Sequence, residues 1–246
     1  DSITRLSHHF PPRIQNILNA ISAESRQLGY KAYLVGGIVR DILLDIPNLD
    51  IDIVVEGDGI ELASRLQQKV GGKVESYQKF KTAVLVLEPG LHIDIATARV
   101  EYYTSPAALP SVESGSIRQD LSRRDFTINA MAISLEQDNF GTLLDFFGGR
   151  KDLEQKKVKV LHKMSFIEDP TRIFRAVRFE QRLGFKIDPQ TEKLILTTID
   201  MEMVSLLGGV RIRDELVAIL QEKNPYKPIK RLYQLGALAK IGLKLS

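Results

Sequence analysis

The chain has 246 residues, 43% of them hydrophobic and 26% charged, with a formal net charge of +3. These values are ordinary for a globular protein with a sizeable core. The absence of cysteine excludes disulfides and thiolate zinc sites, and no apolar run approaches the roughly 20 residues of a membrane span. No signal-peptide pattern opens the sequence, so a cytoplasmic location is expected. The small positive net charge is compatible with a nucleic-acid partner but does not require one.

The pattern of apolar residues predicts an α+β fold, a small mixed sheet with flanking helices followed by an all-helical segment. Helices are predicted at 11–29 and 60–70, and strands at 32–35, 50–55, 82–87, 91–96 and 158–161. After about residue 163 only helices are predicted, at 170–183, 189–198, 210–221 and 226–241. We therefore divide the chain into an N-terminal helix (1–30), a mixed domain (31–162) and a helical domain (163–246). No finishing element closes the last segment, so we expect the natural protein to continue.

A glycine pair follows the first predicted strand. Gly36 and Gly37 have no Cβ, so the backbone can turn sharply and an anion can approach its N–H groups. The short helix that starts near Ile38 directs its positive end at the same place, with Arg40 on its first turn. This pattern is typical of a phosphate-binding turn, although a Gly-Gly pair is often only a turn.

Two aspartates stand two residues apart on the next predicted strand. Asp50 and Asp52 therefore point to one face, where hard carboxylate oxygens suit Mg²⁺. Asp94, on another alternating strand, offers a third carboxylate if the two strands are neighbours. Beside a phosphate-binding turn, such carboxylates indicate metal-dependent phosphoryl transfer. The alternative is a set of solvated surface acids.

The segment 123–129 (RRDFTIN) is dense in polar groups. Arg123 and Arg124 suit bidentate contacts to phosphate oxygens, with Asp125 holding one of them in place. Thr127 and Asn129 suit either a turn or a ribose hydroxyl. The alternative is a surface salt-bridge cluster at the start of a helix.

The first helix of the helical domain begins with an acidic pair and a proline. Pro170 suits the first helical position, which makes Asp169 a natural N-cap. Four arginines share one stripe of this helix: Arg172, Arg175, Arg178 and Arg182. Such a stripe is usually solvated. A carboxylate and a guanidinium one turn apart are also able to read the edge of C or A.

These blocks, in this order, resemble the class II tRNA nucleotidyltransferase and bacterial poly(A) polymerase family over about residues 30–220. The matching blocks are Gly36–Asp41, Asp50 with Asp52, Arg123–Asp125 and Glu168–Arg172. The segment Asp145–Leu153 also looks like the family's hinge between head and neck. Two departures stand out: Asp45 replaces a frequent glycine, and the segment 210–216 lacks the family's leading glutamate. The missing glutamate points to a specialised A-adding or CC-adding branch.

The resemblance implies a polymerase-beta-like nucleotidyltransferase head in 31–162 and a nucleotide-selecting, RNA-binding neck in 163–246. It implies that Asp50 and Asp52 hold Mg²⁺, and Asp94 matches the third carboxylate of the superfamily. The implied nucleotide-binding residues are Gly36, Gly37, Arg40, Arg123, Arg124, Asp169, Arg172, Arg175 and Arg178.

The function expected from this resemblance is untemplated addition of C and/or A, from CTP and/or ATP, to the 3′ acceptor end of tRNA. A poly(A) polymerase, which would use only ATP, shares these blocks and remains an alternative. A catalytically silent RNA-binding module is another, against which the intact Asp50 and Asp52 argue. The choice among C, CC, CCA and A stays open, because the residues that select the base are shared.

Overall fold

The computed structural model describes residue 6 and residues 8–243. The predicted segments 1–30 and 163–246 thus each include residues outside the described part. The chain forms two compact units that interleave in sequence. The first unit comprises the chain up to Glu101, Val112–Arg124 and Asn129–Gly149, and the second comprises Tyr102–Ser111, Asp125–Ile128 and the chain from Arg150. The domain bounds drawn from the sequence stay a prediction.

A seven-stranded mixed sheet forms the centre of the first unit. Across the sheet the strands are β3 (Lys73–Tyr77), β4 (Thr82–Glu88), β5 (Leu91–Thr97), β2 (Ile51–Glu56), β1 (Lys31–Val35), β8 (Ala132–Ser134) and β9 (Leu143–Leu144). β2 and β5 are parallel, and the other neighbours are antiparallel. The predicted mixed sheet is confirmed, as are its strands at 32–35, 50–55, 82–87 and 91–96.

Helices cover this sheet and close its core. They are α1 (Pro12–Gln27), α2 (Gly37–Leu43), α3 (Gly59–Val70) and α4 (Ile117–Ser122). α1 packs on α3, which in turn packs on β4 and β5, because each helix has one apolar face. β6 (Arg99–Tyr102) and β7 (Ser111–Ser114) form a separate two-stranded sheet. The predicted helices at 11–29 and 60–70 are confirmed.

The second unit is mainly helical. Its helices are α5 (Gly149–Glu154), α6 (Ser165–Glu168), α7 (Thr171–Leu183), α8 (Pro189–Asp200), α9 (Gly209–Leu220) and α10 (Tyr226–Gln234). α7 is central, since it buries Ile173, Phe174 and Val177 and packs against α9 and α10. Within the described residues, no helix combines the length and the apolar character that crossing a membrane requires.

Three sequence predictions for the second unit need correction. The helix predicted at 226–241 ends at Gln234, because Gly236 takes a left-handed conformation (φ +81°). The strand predicted at 158–161 is shorter: β10 is Lys157–Val158, and Val160 forms a single bridge with Phe126. The segment after residue 163 is not helical throughout, since β11 (Lys186–Ile187) pairs with β10 in parallel. Two-residue strands are too short to give a periodic signal.

Asp45 lies in the loop between α2 and β2 with a φ of +56°, a left-handed conformation that favours glycine. This is the position at which the resembled family frequently has glycine. We expect Asp45→Gly to raise the free energy of unfolding by about 0.5–1 kcal/mol, because glycine adopts this conformation without a Cβ clash. Urea unfolding would measure the change. Asp45→Ala keeps the Cβ, so equal stabilisation by both variants would contradict this explanation.

Candidate active site

Three carboxylates and one imidazole lie close together on two neighbouring parallel strands of the first unit. Asp52 on β2 pairs in register with Asp94 on β5. Asp50 directly precedes β2, and His92 lies two residues before Asp94 on the same face. His92 Nε2 is 3.8 Å from Asp50 Oδ1 and 3.5 Å from Asp94 Oδ2. The two strands are thus neighbours, which is the condition under which Asp94 offers a third carboxylate.

The crowding of these acids changes how they ionise. Burial raises the pKa of Asp52 to about 6, the charge of Asp50 contributes to this rise, and Arg124 opposes both effects. Burial also raises the pKa of Asp94, whereas His92 lowers it. A dication bound among these groups would offset their repulsion.

The donor set fits a divalent cation. One ligand atom from each of Asp50, His92 and Asp94 lies within 4.8 Å of the others. Carboxylate oxygens are the ligands that Mg²⁺ and Mn²⁺ prefer, and an imidazole adds a nitrogen that suits transition metals. His92 was not anticipated, because the histidines show no metal-ligand spacing along the sequence.

Gly36 leaves room for a guanidinium beside the carboxylates. It has a φ of +78°, and a Cβ added there would lie 2.8 Å from Arg124 Nη1 and 3.6 Å from Asp52 Oδ2. A Cβ on Gly37, the first residue of α2, would lie 3.5 Å from Arg40 Nη2. Any side chain at position 36 would therefore be strained and would displace Arg124 from its place beside Asp52.

A fully buried aspartate holds both arginines of the RRD segment. Asp120 Oδ1 accepts hydrogen bonds from Arg123 Nη2 (2.8 Å) and Nε (3.2 Å), and Oδ2 accepts one from Arg124 Nη2 (3.1 Å). Glu101 accepts a further bond from Arg123 Nη1 (3.0 Å). Asp125 was predicted to hold one of these arginines, but Asp120 anchors both. The i+3 and i+4 spacing from Asp120 was the available signal.

Arg40 is buried beneath the glycine turn. Its Nε donates to Asp41 Oδ1 (2.8 Å), and its Nη1 donates to Asn129 Oδ1 (2.8 Å). The sequence predicts that this guanidinium binds a triphosphate. That role stays a prediction, and the structure adds two buried hydrogen-bond partners to it.

In the second unit, acids and an aromatic ring surround the arginine stripe of α7. Asp125 Oδ2 accepts from Arg175 Nε (2.8 Å) and pairs with Nη2 (2.7 Å), which raises the pKa of Arg175. The guanidinium carbons of Arg175, Arg178 and Arg182 all lie within 5.9 Å of the centre of the Phe179 ring. The stripe is therefore partly sheltered rather than simply solvated.

The acidic pair at the start of α7 is tied into the second unit. Asp169 Oδ1 accepts from the backbone N–H of Thr171 (3.1 Å), the first residue of α7. The predicted N-cap role of Asp169 is wrong, because the helix starts one residue later than predicted and its N-cap is Pro170. Asp169 Oδ1 also accepts from Arg211 Nη2 (2.7 Å). Arg172 is buried and donates from Nη1 to Ser165 Oγ (2.7 Å). Arg211 was not anticipated as a partner.

Glu215 on α9 lies close to the arginines of α7. Its carboxylate is 3.9 Å from Arg175 Nη1. Burial raises the pKa of Glu215, while Arg175 and Arg178 oppose this rise. Burial and the nearby Arg175 lower the pKa of Arg178. Among the described residues, no hydrogen-bond donor reaches the buried Glu215 Oε2.

The predicted site residues divide between the two units. The first unit holds Gly36, Gly37, Arg40, Asp50, Asp52, Asp94, Arg123 and Arg124, and the second holds Asp169, Arg172, Arg175 and Arg178. Sequence reasoning missed the contributions of His92, Asp120, Arg211 and Glu215. Arg211 and Glu215 lie in the segment 210–216, which drew attention only for its missing glutamate.

Two family models match the chain. The poly A polymerase head domain matches residues 32–159. A second model, described as "Probable RNA and SrmB- binding site of polymerase A", matches residues 184–242. The first match covers more than half of the chain, including every candidate site residue of the first unit.

Proteins of known name are similar to this chain over nearly its whole length. The A-adding tRNA nucleotidyltransferase of Geobacter sulfurreducens is 49% identical over 233 residues, which are 95% of this chain and 26% of that protein. The Thermotoga maritima CCA-adding enzyme complexed with tRNA is 44% identical with a TM-score of 0.87, covering 98% of this chain and 55% of that one. A CCA-adding enzyme with CTP is 44% identical with a TM-score of 0.89, covering 98% and 54%. The chain thus spans between a quarter and about half of these relatives.

The anchoring role of Asp120 makes a prediction about stability and pH. Burial raises the pKa of Asp120, but Arg124 and Arg123 outweigh it and hold this pKa below its ordinary 3.8. A carboxylate of lowered pKa stabilises the fold above its ordinary pKa, and this stabilisation is lost as the pH falls through the lowered value. We expect Asp120→Asn to cost about 3–5 kcal/mol at pH 7, and less below about pH 4. Urea unfolding between pH 3 and pH 7 measures the difference.

Asp138 is exposed and provides the matched control. Asp138→Asn should leave the free energy of unfolding unchanged across this range. A cost for Asp120→Asn that does not shrink in acid would contradict the ion-pair explanation.

Proposed function

Because the chain belongs to the family of class II tRNA nucleotidyltransferases and bacterial poly(A) polymerases, we propose that it is a template-independent RNA nucleotidyltransferase. It adds C and/or A, from CTP and/or ATP, to the 3′ acceptor end of tRNA and releases pyrophosphate. One observation carries the proposal: Asp52 and Asp94 lie in register on parallel strands, with Arg124 admitted beside Asp52 by Gly36.

The names of the similar proteins support the proposed tRNA and nucleotide substrates. The Geobacter relative is named an A-adding tRNA nucleotidyltransferase, the Thermotoga enzyme is complexed with tRNA, and a further CCA-adding enzyme is complexed with CTP. On the ground of the RNA substrate alone, we also propose a cytoplasmic location.

In the proposed reaction, the terminal ribose hydroxyl attacks the α-phosphate in line. Asp50 and Asp52 would hold Mg²⁺, and Asp94 would contribute the third carboxylate. Mg²⁺ bound there would lower the pKa of the attacking hydroxyl and neutralise charge on the departing pyrophosphate. Arg124, already beside Asp52, binds phosphate oxygens, and Arg123 shares its anchor on Asp120.

The residues of α7 and its N-terminal flank would select the base. The Asp169 carboxylate accepts from the exocyclic amine of C or A, and Arg172 donates to a ring nitrogen or carbonyl. Arg175 and Arg178 add positive charge along the same helix. In this assignment, 31–162 is the catalytic head and 163–246 is the nucleotide-selecting, RNA-binding neck.

The first test is incorporation of labelled CTP and ATP, separately and together, with Mg²⁺. Suitable primers are tRNAs that end before, within and one residue short of CCA. We expect addition of one to three residues, rejection of UTP and GTP, and complete loss of incorporation when EDTA removes the metal. Asp50→Ala with Asp52→Ala should also abolish incorporation, because no carboxylate pair then holds the metal, whereas RNA binding should persist.

Other outcomes would identify the alternatives. Long A tails on any primer would favour a poly(A) polymerase. No incorporation, from this chain and from a longer natural form, would leave an RNA-binding module. Activity that survives the double substitution would disprove the assignment of Asp50 and Asp52.

A second prediction concerns base selection by Asp169. Asp169→Asn keeps an oxygen that can accept from the Thr171 backbone N–H, but it replaces one carboxylate oxygen by an NH₂ donor. We expect discrimination of CTP and ATP against UTP to fall by about tenfold to hundredfold, corresponding to about 1–3 kcal/mol per bidentate base contact. Competition assays with paired nucleotides measure this ratio.

Asp200→Asn, at the exposed end of α8, is the control and should leave the ratio unchanged. If wild type and Asp169→Asn discriminate equally against UTP, Asp169 takes no part in base selection.

A further inference from the structure

We propose that Asn48 is a positioning residue for Asp50, and that the buried Arg40–Asp41 pair holds Asn48 in place. This inference rests on the proposed function, in which Asp50 holds the metal. It gives Asn48 a specific task and gives Arg40 a role that does not require contact with the nucleotide.

The position of the Asp50 carboxylate depends on the backbone conformation at Asp50. Its side chain is 70% exposed, so packing does not fix its direction. Its backbone N–H donates a hydrogen bond of 2.8 Å to Asn48 Oδ1. Because this bond sets the peptide plane at the start of β2, it also sets where the Asp50 carboxylate can reach.

Asn48 is itself held from the interior. Its Nδ2 donates to Asp41 Oδ2 (2.8 Å), and the other oxygen of Asp41 accepts from Arg40 Nε (2.8 Å). Arg40 Nη1 then donates to Asn129 Oδ1 (2.8 Å). Arg40 is 4% exposed and Asp41 is 7% exposed, so both ends of this pair are fixed by the core. The result is a continuous series of hydrogen bonds from the core to Asp50.

Side-chain packing contributes little to the position of the loop between α2 and β2. Ile46 and Leu49 are exposed, at 40% and 51%, and Asp45 is in a left-handed conformation. A loop with few buried apolar contacts depends on its hydrogen bonds for order. Losing Asn48 would therefore loosen Asp50 without opening the core.

The test measures metal binding directly, by electron paramagnetic resonance titration with Mn²⁺. We expect Asn48→Ala to weaken Mn²⁺ binding by about tenfold to hundredfold, the range seen when groups that orient a metal ligand are removed. The thermal midpoint should change little. Asn139→Ala, an exposed asparagine in the same unit, is the control and should bind Mn²⁺ like wild type.

An exchange of the two side chains tests the hydrogen bonds themselves. In Asn48→Asp two carboxylates face each other, and in Asp41→Asn two amides do, so each single variant loses a bond. The double variant Asp41→Asn/Asn48→Asp can restore each bond. The new amide at position 41 then donates to the new carboxylate at position 48, which also accepts from the backbone N–H of Asp50. We expect each single variant to weaken Mn²⁺ binding at least tenfold and the double variant to recover to within about threefold of wild type.

The outcomes separate this inference from the proposed function. Unchanged Mn²⁺ binding in Asn48→Ala, or additive losses in the double variant, would overturn the positioning role. If one of the single variants Asn48→Asp or Asp41→Asn fails to fold, the comparison of Mn²⁺ binding by Asn48→Ala and Asn139→Ala still tests the positioning role of Asn48. A wild type that binds Mn²⁺ but incorporates no nucleotide would overturn the proposed function alone, because the Mn²⁺ titration needs no turnover.

Discussion

The parallel pairing of β2 with β5 imposes a cost that the surrounding residues must offset. Its register sets Asp52 against Asp94, and Asp50 stands two residues before Asp52 on the same face. Like charges facing each other across strands destabilise a sheet. The fold places Arg124 beside Asp52, and this guanidinium opposes the rise in the Asp52 pKa. Arg124 and His92 offset the repulsion among these carboxylates only in part, since the pKa values of Asp52 and Asp94 remain raised. This residual repulsion supports the proposal that the site binds a cation.

Arginines in both units are fixed by buried acids within their own unit. Asp120 holds Arg123 and Arg124, Asp41 holds Arg40, and Asp125 holds Arg175. Buried ion pairs contribute little net stability, because desolvation offsets the Coulomb attraction. What they do provide is a guanidinium fixed in direction, so that less conformational entropy is lost when an anion binds. Their number in this chain is therefore an argument for binding rather than for folding.

Much of this arrangement follows from the sequence, and the rest depends on topology. Apolar and polar residues alternate over Leu91–Ile95 in β5 and over Leu49–Ile53 at the start of β2, so the existence and the polar faces of these strands were predictable. That they are neighbours was not, because only the sheet order determines it. Asp120 was missed because Asp125, which is closer in sequence to Arg123 and Arg124, is an equally plausible ion-pair partner when only the sequence is considered. His92 was missed because its partners Asp50 and Asp94 come from two strands. Short strands such as β8, β9, β10 and β11 give too few residues for a period to be visible.

The segment Arg123–Asp125 shows why a motif can be compact in sequence and divided in function. Arg124 belongs to the first unit, where it lies beside Asp52, and Asp125 belongs to the second, where it anchors Arg175. One peptide bond therefore joins a residue of the proposed phosphate site to a residue that orders the proposed base-reading helix. A substitution at either position would act on its own unit through its own anchor. A substitution that changed the backbone between them would act on both units. This constraint explains the high density of polar residues in the segment better than a surface salt-bridge cluster does.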